Sequence, residues 1–282
     1  MQSFSPLSQY FCSKCDAILK ETDAQIEIST VIEDCPNCGA SLTNTLTRRS
    51  NVIVEPKPSL AKFQTAYDLT RFKFDIEKIS KFMPLSSTGS LCITGYKANL
   101  VLARLCVRSL LPANYGGLGS PYAIVIDAGN KSDFYQTVSY IRQYGMHLTS
   151  TLDRIIVSRT FTIYQLKSLL LRELPKVIQQ YRPSVVIVPG LLDLFDDPNI
   201  KKKEAKRVIE RVMKLINAIS DRLLVITSIS DIKYASLVMP SFDKRVMLSK
   251  TMRNRVNADL YNDGRKANVV LTEKELALVR CA

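Results

Sequence analysis

Tryptophan is absent from this chain of 282 residues, and histidine occurs once, as His147. Chemistry that needs two imidazoles, and metal sites built on histidine clusters, are excluded by counting. A Ser-His-Asp triad would have to rest on His147, which reads as a loop histidine in Tyr144-Gly145-Met146-His147. No run of about 18 apolar residues is present, so no membrane-crossing helix is expected. Residues 1–10 carry no charge and lack a basic segment followed by an apolar one. A signal peptide is therefore not read, and a cytoplasmic location is expected. The chain also lacks internal repeats and low-complexity tracts.

What is present suits a folded core, with 46% hydrophobic and 23% charged residues. The unusual quantity is charge: 39 Lys+Arg against 26 Asp+Glu, a net of +13. That excess favours a polyanionic partner, nucleic acid first. It is unevenly spread. Residues 1–60 hold five Lys/Arg against seven Asp/Glu, a net of −2. Residues 201–255 hold fourteen Lys/Arg against five Asp/Glu, a net of +9. Lys201-Lys202-Lys203 opens an expected helix, where the helix dipole disfavours cations unless an anion is near.

Four of the seven cysteines form two CxxC pairs, Cys12/Cys15 and Cys35/Cys38. Each pair places two thiolates on one tight turn, and two such turns complete the tetrahedral shell that zinc prefers. Residues 24–28 (AQIEI) alternate between the pairs as a short strand should. So small a segment buries too little to fold alone, and structural zinc adds about 10–16 kcal/mol in small peptides. The expectation is a zinc ribbon over residues 1–50 holding one structural ion. With all four positions filled by cysteine, no site remains open for catalysis.

Residues 51–82 read as a Pro-restrained linker followed by a partly helical stretch that Met83-Pro84 ends. In residues 83–282, apolar runs at 91–93, 123–126, 155–157, 184–188 and 223–226 alternate with helical patterns at 98–111, 132–145, 163–180 and 202–219. Short continuous apolar strands between helices predict an α/β fold with a mainly parallel sheet flanked by helices. Runs at 245–248, 267–271 and 276–279, with Asn262-Asp263-Gly264 as a turn, predict an antiparallel C-terminal extension of that sheet. Cys92 and Cys106 fall on apolar faces and read as packed core thiols.

The junction of first strand and helix, where a phosphate loop belongs, reads Thr94-Gly95-Tyr96-Lys97-Ala98. A working loop has glycines to wrap phosphate, a lysine, and a hydroxyl for magnesium. Here Tyr96 stands where the glycine before the lysine is needed and Ala98 where the hydroxyl is needed. The run at 184–188 ends in Pro189-Gly190 rather than an aspartate, with Asp193 beyond it. Gly95, Tyr96, Lys97 and Ala98 thus read as a degenerate nucleotide site, and ATP hydrolysis is not expected.

Residues 80–280 resemble the RecA/RadA-type recombinase core, including recombinase paralogues. The resemblance is carried by Val125-Ile126-Asp127-Ala128-Gly129-Asn130, Arg154-Ile155-Ile156-Val157-Ser158-Arg159-Thr160-Phe161-Thr162, Tyr164-Gln165-Leu166 and Val185-Val186-Ile187-Val188-Pro189-Gly190. A four-cysteine ribbon ahead of such a core is similar to the layout of the bacterial RadA repair protein. The resemblance implies a glutamate soon after the second strand, where this chain has Gly129-Asn130. It also implies DNA-facing loops at 190–203 and 229–244. Together these predict a non-catalytic DNA-binding accessory protein of recombination and repair on an ATPase-dead core. Candidate contacts are Lys201, Lys202, Lys203, Lys206, Arg207, Lys244, Arg245, Arg253 and Arg255. They would grip single- or double-stranded DNA without sequence choice. The alternatives are a module that recruits an active recombinase, nuclease or polymerase through the ribbon, and residual nucleotide binding.

The purified chain is expected to carry one zinc ion by plasma emission spectrometry, and Cys35→Ser to lose it. A wild-type chain that stays folded at residues 1–50 after chelation would overturn the ribbon.

Overall fold

The computed structural model describes residues 7–12, 18–23, 46–50, 72–230, 233–251 and 254–277. Contacts divide the chain into two units, Met1–Lys62 with Ala282, and Phe63–Cys281. In the first, strands β1 (Leu7–Cys12), β2 (Ile18–Asp23) and β3 (Leu46–Ser50) form an antiparallel sheet in the order β2-β1-β3. Cys12 closes β1 opposite Leu46. The zinc expectation otherwise lies outside the described residues, since Cys15, Cys35 and Cys38 are not among them; nor are residues 24–28.

The second unit is built on one eight-stranded sheet. Its strands are β4 (Gly89–Gly95), β5 (Ala123–Ala128), β6 (Ile155–Thr160), β7 (Val185–Val188), β8 (Leu224–Ile229), β9 (Lys244–Lys250), β10 (Arg255–Asn262) and β11 (Arg265–Thr272). Their order is β11-β10-β9-β4-β8-β7-β5-β6. The six from β9 to β6 are parallel, while β10 is antiparallel to both neighbours. This is the α/β architecture expected, antiparallel extension included.

Alternation along the strands sends side chains to two separate cores. On one face Leu91, Ile93, Val125, Ile187 and Ile226 pack with helices α1 (Glu77–Phe82), α2 (Ala98–Ser109) and α3 (Phe134–Gln143). On the other, Cys92, Ile124, Ile126, Val186 and Val225 meet α5 (Ile163–Ser168), α6 (Leu174–Tyr181) and α7 (Lys202–Ser220). The short α4 (Leu148–Leu152) precedes β6, and α8 (Ala235–Val238) precedes β9. Each fully buried Leu, Ile or Val contributes about 1.5–3 kcal/mol. Residues 72–82 belong to this core, since Phe72, Phe74, Ile76 and Ile79 are buried in it. Cys92 and Cys106 are buried as expected, and burial pushes both thiols up to about 12. His147 caps α4, its Nδ1 accepting the Ser150 amide at 3.4 Å.

One reading of the tail is corrected. Residues 276–277, expected as strand, close the helix α9 (Glu273–Ala277). The cause is a capping box. The Glu275 amide donates to Thr272 Oγ1 at 3.2 Å, and the Thr272 amide donates back to Glu275 Oε2 at 2.7 Å. Strand β10 was not anticipated, because its buried Val256, Ala258 and Leu260 alternate with Asn257 and Asp259. The turn behaves as read: Asp263 and Gly264 have φ of 48° and 77°, as a two-residue hairpin loop requires.

A buried polar knot ties the ends of this unit together. Arg104, 1% exposed, donates to Asp75 Oδ2 at 2.8 Å and to the carbonyls of Asp75, Glu275 and Leu276. Arg108, one turn on, reaches Asp75 Oδ1 at 3.1 Å and the Lys73 carbonyl at 2.7 Å. The Tyr144 hydroxyl donates to Asp75 Oδ2 at 2.9 Å. Burial, then Asp75, pushes Tyr144 up to about 12. Burial weakens the Arg104 cation, but Asp75 and Tyr144 more than offset it, holding Arg104 above the ordinary arginine range.

Asp75→Asn keeps the shape and the tolerated positive φ while leaving two buried guanidiniums without a carboxylate. It is expected to cost about 3–5 kcal/mol. For a unit of this size that lowers the melting temperature by roughly 10 °C, read by circular dichroism. A loss under about 2 °C would show that the knot is not a stability element.

Candidate nucleic-acid interface

The parallel strands end along one edge, the usual place for a ligand in such a sheet. At the first crossover only Tyr96 and Lys97 separate β4 from α2. Gly95 has φ of 85°, and a Cβ there would come within 2.0 Å of the Leu248 carbonyl oxygen of β9. Its glycine serves that close approach, which the Tyr96 amide seals by donating to the same oxygen at 2.8 Å. The Tyr96 hydroxyl donates to Glu273 Oε1 at 2.7 Å. Lys97 Nζ stands 3.5 Å from Glu273 Oε2, and Lys250 Nζ 3.4 Å from Oε1. The Tyr96 hydrogen bond, then the lysines, hold Glu273 below the ordinary carboxylate range. Ala98 is buried in the core. Tyr96 and Lys97, two of the four residues read as a degenerate nucleotide site, are thus committed to a carboxylate of the chain itself.

The neighbouring strand ends are committed too. The Ser228 hydroxyl donates to Asn99 Oδ1 at 2.5 Å and accepts the Gly190 amide at 2.8 Å. Asp193 accepts the Ser230 hydroxyl at 2.8 Å and pairs with Lys131 at 3.2 Å. Asp127, fully buried, accepts the amides of Lys131 and Ser132 and faces Arg159 at 3.4 Å. The cavity lined by Asn99, Cys106, Ser132 and Pro189 holds about 20 Å³, room for one water and no nucleotide.

The open concavity lies on the helical layer instead. A groove of about 390 Å³ is lined by Lys167 of α5, by Lys201 just before α7, and by Lys203, Glu204, Arg207 and Arg211 of α7. Lys203, Arg207 and Arg211 recur every four residues and share one stripe of the helix. No side chain caps the helix start at Lys201. Five cations therefore face one acid. That acid is engaged, since Glu204 Oε1 accepts the Tyr164 hydroxyl at 3.0 Å, a bond that holds Tyr164 above its ordinary value. Like charges at that spacing destabilise a helix by about 0.2–0.5 kcal/mol a pair, a cost an anion in the groove removes.

The local sequence explains how Tyr164 arrives there. The Thr162 side chain accepts the Gln165 amide at 3.1 Å, and Gln165 Oε1 accepts the Phe161 amide at 2.8 Å. This reciprocal pair starts α5 and leaves Phe161, just ahead of the helix, and Tyr164, in its first turn, exposed at 65% and 55%.

Of the candidate contacts, the structure brings Lys201, Lys203 and Arg207 together. Lys202 and Lys206 are exposed on α7 outside the groove lining. Lys244 and Arg245 open β9 and so lie at the opposite end of the parallel strands, where the Arg245 guanidinium lies 4.8 Å from the centre of the Tyr261 ring. Arg255 opens β10, on the antiparallel extension. Arg253 lies outside the described residues. Sequence reasoning missed Lys167 and Tyr164 and did not single out Arg211. The four-residue spacing on α7 signals Arg211; nothing in one sequence signals that α5 packs beside it.

Comparison with protein-family models and with curated proteins finds no match to this chain.

Because Lys97 is held by Glu273, Lys97→Ala is expected to leave the binding of a labelled ATP analogue unchanged in equilibrium titration. Saturable binding that vanishes in this variant would reinstate a nucleotide site at the β4–α2 junction.

Proposed function

We propose that this chain is a non-catalytic, sequence-independent DNA-binding accessory protein of recombination and repair. In this reading a RecA-type core serves as a scaffold and an N-terminal ribbon holds one zinc ion through Cys12, Cys15, Cys35 and Cys38. The observation that carries the reading is the groove between α5 and α7, where Lys167, Lys201, Lys203, Arg207 and Arg211 face a single, already engaged acid. A row of cations on a stable helix recognises repeated phosphates, and recognises them without reading bases. The strand order, with β4 between β9 and β8, is compatible with the RecA-type core that residues 80–280 resemble. The absence of catalysis is argued from the junction that Tyr96 and Glu273 fill.

Neutralising five phosphates gives a slope of log affinity against log salt of about −3.5 on single strands and about −4.5 on duplex. Fluorescence anisotropy over a salt series is expected to return such a slope. Lys203→Glu with Arg207→Glu is expected to lower affinity by about tenfold or more at low salt and to flatten the slope. Thermal stability should be unchanged or slightly raised by the relief of like charge. Affinity at low salt no better than that of an uncharged control protein would end the proposal.

A further inference from the structure

The rim of the groove adds something that cations alone do not explain. Phe161 and Tyr164 expose large aromatic surface, 65% and 55%, Tyr164 in the first turn of α5 against the start of α7 and Phe161 three residues ahead of it in the chain. Tyr164 is not a loose side chain, because its hydroxyl is fixed on Glu204 at 3.0 Å, inside the groove lining. Its ring is therefore held beside the cationic stripe. From Lys203 to Arg211 that stripe rises about 12 Å along the helix. A duplex keeps its bases stacked on one another and offers such rings no free base face unless it is unstacked at a cost of a few kcal/mol. The rings suit unpaired bases, each of which has a face to stack. The charge of the groove, five cations to one acid, selects a polyanion rather than an apolar protein surface.

We infer that the α5–α7 groove binds single-stranded nucleic acid, its backbone along Lys203, Arg207 and Arg211 and its bases stacked on Phe161 and Tyr164. The inference rests on the DNA-binding reading above and adds to it the form of the strand and two residues that select it. The Glu204 carboxylate acts as a positioning group, holding Tyr164 rather than touching the ligand. This division of labour separates two variants of one residue. Tyr164→Phe keeps the ring and loses the hydrogen bond; Tyr164→Ala loses both.

The test is anisotropy of the intact chain with labelled oligothymidylate of about 20 nucleotides and with a duplex of the same length. The wild type is expected to bind the single strand at least about fivefold more tightly than the duplex. Phe161→Ala with Tyr164→Ala should remove that preference by lowering single-strand affinity about fivefold more than duplex affinity. Tyr164→Phe should retain most of the preference. Equal affinity for both forms, or a preference that survives the alanine pair, would overturn the stacking site while Lys203→Glu/Arg207→Glu still weakened binding. No binding of either form would overturn the DNA-binding reading with it. Displacement of the oligonucleotide by polyglutamate at equal charge, indifferent to the alanine pair, would overturn it in favour of an acidic-peptide site.

Discussion

One buried guanidinium organises the larger unit. Arg104 sits on α2 inside the core, where an unpaired cation would cost several kcal/mol, so its partners must be in place whenever the unit is folded. Those partners come from far apart in sequence: Asp75 ahead of the sheet, and the Glu275 and Leu276 carbonyls after its last strand. Holding α2 at that point also fixes Lys97 and Tyr96 at its start, and through them Glu273. The knot and the filled β4–α2 junction are thus two ends of one arrangement, in which α9 is clamped between Arg104 and the pair of lysines.

That arrangement separates the two edges of function in an α/β sheet. The strand ends, where a nucleotide would sit, spend their polar groups on one another: Asn99 on Ser228, Asp193 on Ser230 and Lys131, Asp127 on the amides of the loop after β5. The α5–α7 groove spends almost none. Its five groove cations have one acid between them, and that acid is turned toward a tyrosine. Electrostatic surplus has moved from the strand ends to the helices, and the proposed activity moves with it.

Much of the fold was legible because burial is periodic. The continuous apolar run at 185–188 could only be a strand covered on both sides, and the one-face pattern of 205–219 could only be a helix on a sheet. The tail misled for a definable reason: Leu276 and Ala277 are as apolar as a strand, and the decisive Thr272–Glu275 pair is a local hydrogen-bond signal that hydropathy does not contain. The site was half legible. Lys203 and Arg207 could be read as neighbours because one helix carries both. Lys167 and Tyr164 could not, since their nearness to α7 depends on how two helices pack on the same face. Lys244 and Arg245 share the basic tract in sequence but lie at the other end of the strands, because a parallel strand begins where the preceding helix ends. Proximity along the chain overstated proximity in space.

The place of β4 has a consequence for how the chain is made. It is the first strand of the large sheet to leave the ribosome, yet both of its neighbours are late ones: Gly89 pairs with Leu224, and Leu91 with Lys244. At ordinary elongation rates the wait for the first of them is on the order of ten seconds. Throughout that interval the apolar Leu91-Cys92-Ile93 segment has no ladder partner, and β5, β6 and β7 can assemble only as a sheet that lacks its centre. This window closes only when β8 and β9 have been synthesised.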